Sequence, residues 1–351
     1  MSADSSARES RVLIKSAPYN AETPADALRA EITAAGRHYV RCNFDIPALD
    51  ATMHALHVTG ADGGTSVLTM QALHDLPRRR MPVTMECAGN WRLSIAPLPP
   101  GELWGSGAVS SATWTGVSLS DVLAAAGIQV PASICEVLVE GADAGRVATG
   151  AEAGYARSLP VSKALDADTV LALWMNDEPL LPEHGAPVRL LVPGWYGMAS
   201  VKWVTRIALL DVPFTGYFQS DRYVVDTGVG PAVPVREMAV KAMITPPAAS
   251  DCRAGHDLLV QGWAWAGRGD VSGVEVAIDG GDDWQPARLH PSAGPYLWRR
   301  WEFLWRGDQP GRHVIRARAR SSHGDVQPDV SRWNRLGYEA NGIRLVEVTL
   351  R

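Results

Sequence analysis

An α+β chain, with a mixed α/β domain followed by an all-β sandwich of immunoglobulin type, is the fold class this sequence predicts. Three observations lead there. The length, 351 residues, exceeds what one hydrophobic core usually serves and favours two domains. Glycine and proline crowd together over 228–250 (Gly228, Gly230, Pro231, Pro234, Pro246 and Pro247), which marks a junction. Beyond it, short segments of alternating polarity replace the mixed texture of the first two thirds. The expected division is an arm over 1–35, a mixed domain over 36–235 and a β domain over 236–351.

The first 35 residues are polar and varied, and predict an arm with one short helix. The run from Arg80 to Cys87 predicts an extended segment that enters a loop at Ala88-Gly89-Asn90. Leu119, Val122, Leu123 and Ala126 follow helical spacing, with Ser118 as cap, Asp121 three residues on and Gly127 as terminator. Val188 to Val192 reads as a buried strand halted by Pro193-Gly194. In the last third Val274, Val276 and Ile278 alternate with Glu275 and Ala277 before a turn at Asp279-Gly280-Gly281. Ile315, Ala317 and Ala319 alternate with Arg316, Arg318 and Arg320, as in a strand with one wet face. Such strands at regular intervals define the sandwich.

Composition narrows the function. Hydrophobic residues at 46% are enough for real cores, and a net charge of -5 argues against a nucleic-acid binder. No stretch has the 18 or so apolar residues that a spanning helix needs. The N-terminus shows neither an apolar signal core nor a twin-arginine pair. The expectation is a soluble, cytoplasmic protein, periplasmic if an export signal has been removed. Cys42, Cys87, Cys135 and Cys252 form no CxxC, and neither HExxH nor GxxxxGK occurs.

Two features remain. Cys87 lies where a strand gives way to small residues, with Arg92 five positions on; cationic neighbours favour thiolate, and a thiolate is a soft metal ligand. A buried structural cysteine, a metal ligand and a nucleophile all stay open on spacing alone. The second feature is a set of basic residues in apolar or glycine-rich runs: Arg41, Arg92, His184, Arg189, Lys202 and Arg344. Solvated side chains account for such residues singly; together, in an acidic protein, they suit recognition of an oxyanion or phosphate.

These residues carry a resemblance. Met85-Glu86-Cys87-Ala88-Gly89-Asn90-Trp91-Arg92 resembles the CAGNxR segment of the sulfite oxidase family of molybdenum enzymes. Pro18 to Glu22 and Tyr39-Val40-Arg41 are similar to its opening segment, Trp104 to Val109 to its WGxGAxS run, and Glu140-Gly141-Ala142-Asp143 to its EGxD turn. His184 to Arg189, Val192-Pro193-Gly194 and Ser200 to Trp203 follow its HGxPxR…VPG…xVKW order. Gly262 to Gly267 and Val326 to Asp329 resemble its dimerisation domain.

The resemblance implies that Cys87 is the one protein ligand to molybdenum, the metal being carried by a molybdopterin dithiolene. It assigns the cofactor to Tyr39, Arg41, Asn43, Cys87, Asp143, His184, Arg189, Ser200, Val201 and Lys202. It assigns a positive substrate cup for sulfite to Arg41, Arg92, Trp104, Tyr223 and Arg344, and implies oxygen-atom transfer that yields sulfate, with a related reaction on nitrate, an S-oxide or an N-oxide as the alternative. It further implies a homodimer and a separate electron acceptor, a cytochrome-like carrier or oxygen. The expectation is of no haem in this chain, since the 17 residues ahead of the matching region are too few for such a domain. Three departures stand out: Cys42-Asn43 where relatives carry Asn-His, Trp91 where they often carry Arg, and Gly342-Ile343-Arg344 for Trp-His-Arg.

Overall fold

Ser118 caps the helix Leu119–Ala125 by accepting a hydrogen bond from the Asp121 amide, and Leu119, Val122 and Leu123 are buried, as their spacing predicts. In the computed structural model, which describes residues 11–245, 253–281 and 283–351, this is one of few helices. The predicted junction residues Pro246 and Pro247, together with Cys252, fall outside the described residues, as do the first ten. Among the described residues no helix is long and apolar enough to cross a membrane.

The rest is mostly β. The strand Arg78–Glu86 pairs with Val109–Ser118, which pairs in turn with Val170–Met175; Arg189–Leu191 joins that sheet through Val170–Met175. A second sheet runs in the order Thr65–Thr69, Ala55–Thr59, Val204–Leu210, Glu136–Arg146, Glu152–Pro160, with Val204–Leu210 parallel to Ala55–Thr59. Strand Glu136–Arg146 is buried near its start (Val137, Leu138 and Val139) and becomes exposed towards its end. The expected turn at Glu140 to Asp143 is a bulge inside this strand, with the register broken between Glu140 and Ala144. Three residues, Gly141 to Asp143, stand there against Tyr155 alone on the partner strand, and Asp143 is buried. Gly141 is required beside it, because a Cβ would stand 2.5 Å from the Lys202 carbonyl oxygen.

Residues 12–35 differ from a detached arm. Strands Val12–Lys15 and Asn20–Glu22 pair with one another and with Val40–Arg41, and Asn20, Ala21 and Glu22 are buried. Polar composition hid this, because the buried polar groups are paired: Arg11 meets Glu183 at 3.1 Å, and the Asn20 side-chain Oδ1 accepts from the Cys42 amide at 2.9 Å.

From Lys241 onward two four-stranded sheets face each other. One has the order Lys241–Ile244, Asp257–Trp265, Arg299–Arg306, Arg288–Leu289; the other Gln285–Pro286, Val271–Ile278, Gly311–Ser321, Leu345–Leu350. Val274, Val276, Ile315, Ala317 and Ala319 fill the space between them, around Trp301. On the wet face Arg318 and Arg320 bond to Glu275, and Arg316 and Arg318 lie over Trp284.

The two parts are joined by buried polar contacts. Lys241 forms an ion pair with Glu86, whose other oxygen accepts from the Trp265 indole at 2.9 Å. Trp263 and Trp298 donate to the carbonyls of Leu28 and Glu31 at 2.7 and 2.9 Å. The Glu339 amide donates to the Ala88 carbonyl at 3.0 Å, so the sandwich reaches the loop that carries Cys87.

Candidate active site

The loop after strand Arg78–Glu86 places Cys87 with its amide bonded to the Ala108 carbonyl and its carbonyl accepting the Asn90 amide, both at 2.9 Å. Asn90 is fully buried; it donates to Glu86 at 2.9 Å and accepts from the Ala108 amide at 3.2 Å. The loop is thus stapled on both sides, and Trp91 takes a left-handed conformation (φ 70°) to close it.

Cys87 lines a recess that opens to solvent, with room of about 50 Å³ inside it. Tyr39, Arg41, Asn43 and Asp143 line it from the opening strands and the bulge, and His184, Arg189, Ser200 and Lys202 from the loops around strand Arg189–Leu191. Tyr223 closes the same space. Sequence order separates these groups by up to 184 positions (Tyr39 to Tyr223). The sheets bring them together.

The cavity is basic. Arg41 bonds to Asn20 at 3.2 Å and to Asn43 at 2.8 Å, and reaches the Cys42 carbonyl; Asn43 in turn donates to the Tyr223 hydroxyl at 3.2 Å. Burial works against the Arg41 charge, but Tyr223, Cys87 and Glu102 around it raise its pKa above the ordinary arginine value. Arg189 donates to the carbonyls of His184 and Ser200 and lies over Trp114; burial pushes its pKa down to about 10, so it stays charged at neutral pH. Lys202 donates to the Cys42 sulfur at 3.0 Å and to the Glu183 carbonyl at 2.9 Å, and burial lowers its pKa too.

His184 belongs to a different class from the other basic residues. Burial, with His38 and Arg11 close by, holds its pKa well below the usual histidine value. His38 beside it is pushed down to about 3 by burial, so both rings are uncharged at neutral pH. Asp143 moves the other way: burial raises its carboxyl to about 6, against the pull of Lys202 and Arg41. Burial also raises the Cys87 thiol, and Arg41, the Gly89 amide and Arg92 offset that only in part. In the cofactor-free protein the sulfur is therefore held towards the thiol. The neighbouring arginines alone do not outweigh burial.

Four assigned residues lie elsewhere. Val201 is in the core, with its amide bonded to the Ala199 carbonyl and its carbonyl to the Leu190 amide, so neither faces the cavity. Trp104 is buried behind Cys87 in an apolar cluster with Met85 and Tyr39. Arg92 is buried and spends three N–H groups on carbonyls, one on Glu102 at 2.8 Å and two on Leu336 at 3.0 and 3.3 Å, which clamps the sandwich to the Cys87 loop. Arg344 stands 5.6 Å from the Trp91 ring and is not part of the recess lining; Glu22 is the charge that acts on it. The Lys241 ammonium lies 4.8 Å from the same ring, so Trp91, where relatives often carry Arg, sits among cations.

Sequence reasoning missed several contributors. Glu183 and His38 line the cavity, and Tyr155 lines it while donating to the Met198 carbonyl at 2.7 Å. Tyr338 packs on Tyr223 with centroids 5.3 Å apart. Gly197 also lines it, because a Cβ there would stand 2.5 Å from the Tyr39 hydroxyl. No local pattern in the sequence marks Gly197, Tyr155 or Tyr338.

The comparisons agree with this architecture. The chain matches the oxidoreductase molybdopterin binding domain over residues 43–218 and the Mo-co oxidoreductase dimerisation domain over residues 232–350. It is 33% identical to the mitochondrial sulfite oxidase of Rattus norvegicus, over 94% of this chain and 64% of that protein. It is 31% identical to an NAD(P)H nitrate reductase of Hordeum vulgare, over 92% of this chain and 40% of that one. The chain thus spans less than two thirds of the length of either relative. It superposes on the crystal structure of the sulfane dehydrogenase SoxCD from Paracoccus pantotrophus with a TM-score of 0.83 and 29% identity, over 95% of this chain and 85% of that one. This chain belongs to the sulfite oxidase family of molybdopterin oxidoreductases.

The residues present fit that cofactor. Around the cavity the Asp143 Oδ1, Arg189 Nε, His38 Nε2 and Glu183 Oε2 atoms are buried without a hydrogen-bond partner. Buried polar atoms are seldom left so unless a ligand or water completes them. Among the described residues no group of three or more His, Cys, Asp or Glu could hold a metal.

Proposed function

We propose that this chain oxidises sulfite to sulfate by molybdenum-dependent oxygen-atom transfer and passes the electrons to a separate acceptor. The observation that carries the reading is Cys87 lining one basic recess with Arg41 and Tyr223. When bound, molybdopterin supplies a redox metal able to take up an electron pair and exchange an oxygen atom with substrate. The protein supplies place and charge. Cys87 would be the metal's protein ligand, and Arg189 and Lys202 would meet the phosphate of the cofactor. Asp143 would accept an N–H of the pterin, with Tyr39, Asn43, His184 and Ser200 completing the cradle.

Arg41 offers charge to a doubly negative substrate, offsetting its desolvation through charge-assisted hydrogen bonds. Asn43 holds both Arg41 and the Tyr223 hydroxyl, so the cation and the hydroxyl are oriented as a unit. Arg92 adds positive potential from behind the loop while its N–H groups hold the two domains together.

The test is metal analysis of purified protein together with sulfite oxidation using ferricyanide or a cytochrome as acceptor. Stoichiometric molybdenum with sulfite turnover supports the reading. Absence of molybdenum after production in a cofactor-competent host refutes it. Molybdenum with turnover of nitrate, an S-oxide or a sulfane instead of sulfite would keep the cofactor and change the substrate. The sandwich domain further supports a two-fold homodimer, the commonest closed assembly. Sedimentation as a monomer at micromolar concentration would exclude that.

A further inference from the structure

Tyr338 comes from the C-terminal part of the chain, yet it packs on Tyr223, which lines the recess. Its ring lies 5.3 Å from that of Tyr223, inclined at 35°, and the Arg92 guanidinium lies 5.1 Å over its face. The segment that carries it is pinned on three sides. Arg92 holds the Leu336 carbonyl at 3.0 Å, the Glu339 amide reaches the Ala88 carbonyl at 3.0 Å, and Asn334 bonds to both main-chain groups of Tyr338 at 2.8 and 3.1 Å. Gly337 is in the left-handed region (φ 63°), and a Cβ there would stand 3.2 Å from Arg92 Nε, so this close approach depends on glycine.

Both hydrogen bonds of Tyr338 run through its main chain, which leaves its hydroxyl free to donate. Besides burial, the groups that influence that hydroxyl are Tyr223 and Arg41, which line the recess, and Arg222 and Arg92, which do not. Burial pushes its pKa up to about 12, so the proton stays on the oxygen at neutral pH.

We propose that Tyr338 is a substrate-binding residue whose hydroxyl donates a hydrogen bond to the tetrahedral or pyramidal sulfur oxyanion held beside Cys87, next to Tyr223. This rests on the oxyanion reading of the site given above. It makes the second domain part of the binding pocket as well as of the assembly. It also gives Arg92 a role through Tyr338: by covering the ring and holding Leu336 it fixes where the hydroxyl points.

The experiment is equilibrium binding of sulfate to molybdenum-replete protein by calorimetry, for wild type and Tyr338→Phe, with metal content and melting temperature as controls. Loss of one hydroxyl with the ring kept should weaken the sulfate Kd about ten-fold, in line with a hydrogen bond to a charged group. In sulfite turnover the same variant should raise KM by a similar factor and leave molybdenum content unchanged. Equal sulfate affinity in the two proteins overturns the proposal, as does wild type that binds no sulfate. Wild type that binds sulfate more tightly than Tyr338→Phe but does not oxidise sulfite supports the Tyr338 assignment and refutes sulfite oxidation alone.

Discussion

Replacing Lys241 with Met removes one member of a buried ion pair that lies directly behind the Cys87 loop. Glu86 and Lys241 are both fully buried, and Lys241 arrives from the first strand of the sandwich domain. After Lys241→Met the Glu86 carboxylate keeps two donors, Asn90 at 2.9 Å and Trp265 at 2.9 Å, but loses its counter-charge. Breaking a buried pair in this way costs about 3–5 kcal/mol, because the remaining charge stays desolvated without compensation. The two residual donors place this case near the lower end, at about 3 kcal/mol. Glu86→Gln in the same background removes the stranded charge while keeping a carbonyl oxygen for Asn90 or Trp265. The double variant should therefore recover about 1–2 kcal/mol relative to Lys241→Met alone.

The assay is urea unfolding of the four proteins of the cycle, followed by tryptophan fluorescence, with molybdenum retention after dialysis measured in parallel. Because Asn90 also bonds to the Ala108 amide and the Cys87 carbonyl, Lys241→Met should lose metal faster than wild type. Lys241→Met within about 0.5 kcal/mol of wild type, or a double variant as unstable as the sum of the singles, would refute the assignment of a coupled buried pair.

Other outcomes follow from the same geometry. Cys87→Ser should fold with a melting temperature near that of wild type and lose nearly all turnover; full turnover would remove Cys87 as the metal ligand. Arg92→Ala should raise KM for an anionic substrate and also lower stability, since the carbonyls of Glu102 and Leu336 lose their donors. A KM change with no loss of stability would contradict the clamp. In cofactor-free protein Asp143 has its carboxyl raised from 3.8 to about 6, so its contribution is fully present below about pH 4 and is lost as pH rises through about 6. That rise corresponds to about 3 kcal/mol, and Asp143→Asn should be more stable than wild type at pH 7 by up to that amount, with the difference vanishing near pH 4. A difference independent of pH, read from paired unfolding curves, would show that Asp143 does not carry this penalty.

Much of the architecture was legible because its signals are local. The cap at Ser118, the apolar spacing over 119–126 and the alternation around Val274 and Ile315 depend on neighbours a few positions apart, and backbone geometry turns that spacing into faces. The ordered motifs likewise led to Cys87, Arg189 and Lys202, since the loops that carry them are continuous in the chain. What escaped was long-range. The opening strands looked like a polar arm because their partners, Val40–Arg41 and Glu183, lie far along the chain.

The sequence by itself therefore determined the fold class, the position of the cysteine and the family to which the chain belongs. Tertiary structure decided the charge and duty of each residue. Both depend on burial and on partners remote in sequence. Burial leaves His184 uncharged and keeps Cys87 a thiol. Long-range hydrogen bonds turn Arg92 from a free cation into a clamp, and packing of the second domain brings Tyr338 against Tyr223. Desolvation and contact across the chain are properties of the folded volume, and no local pattern of residues encodes them.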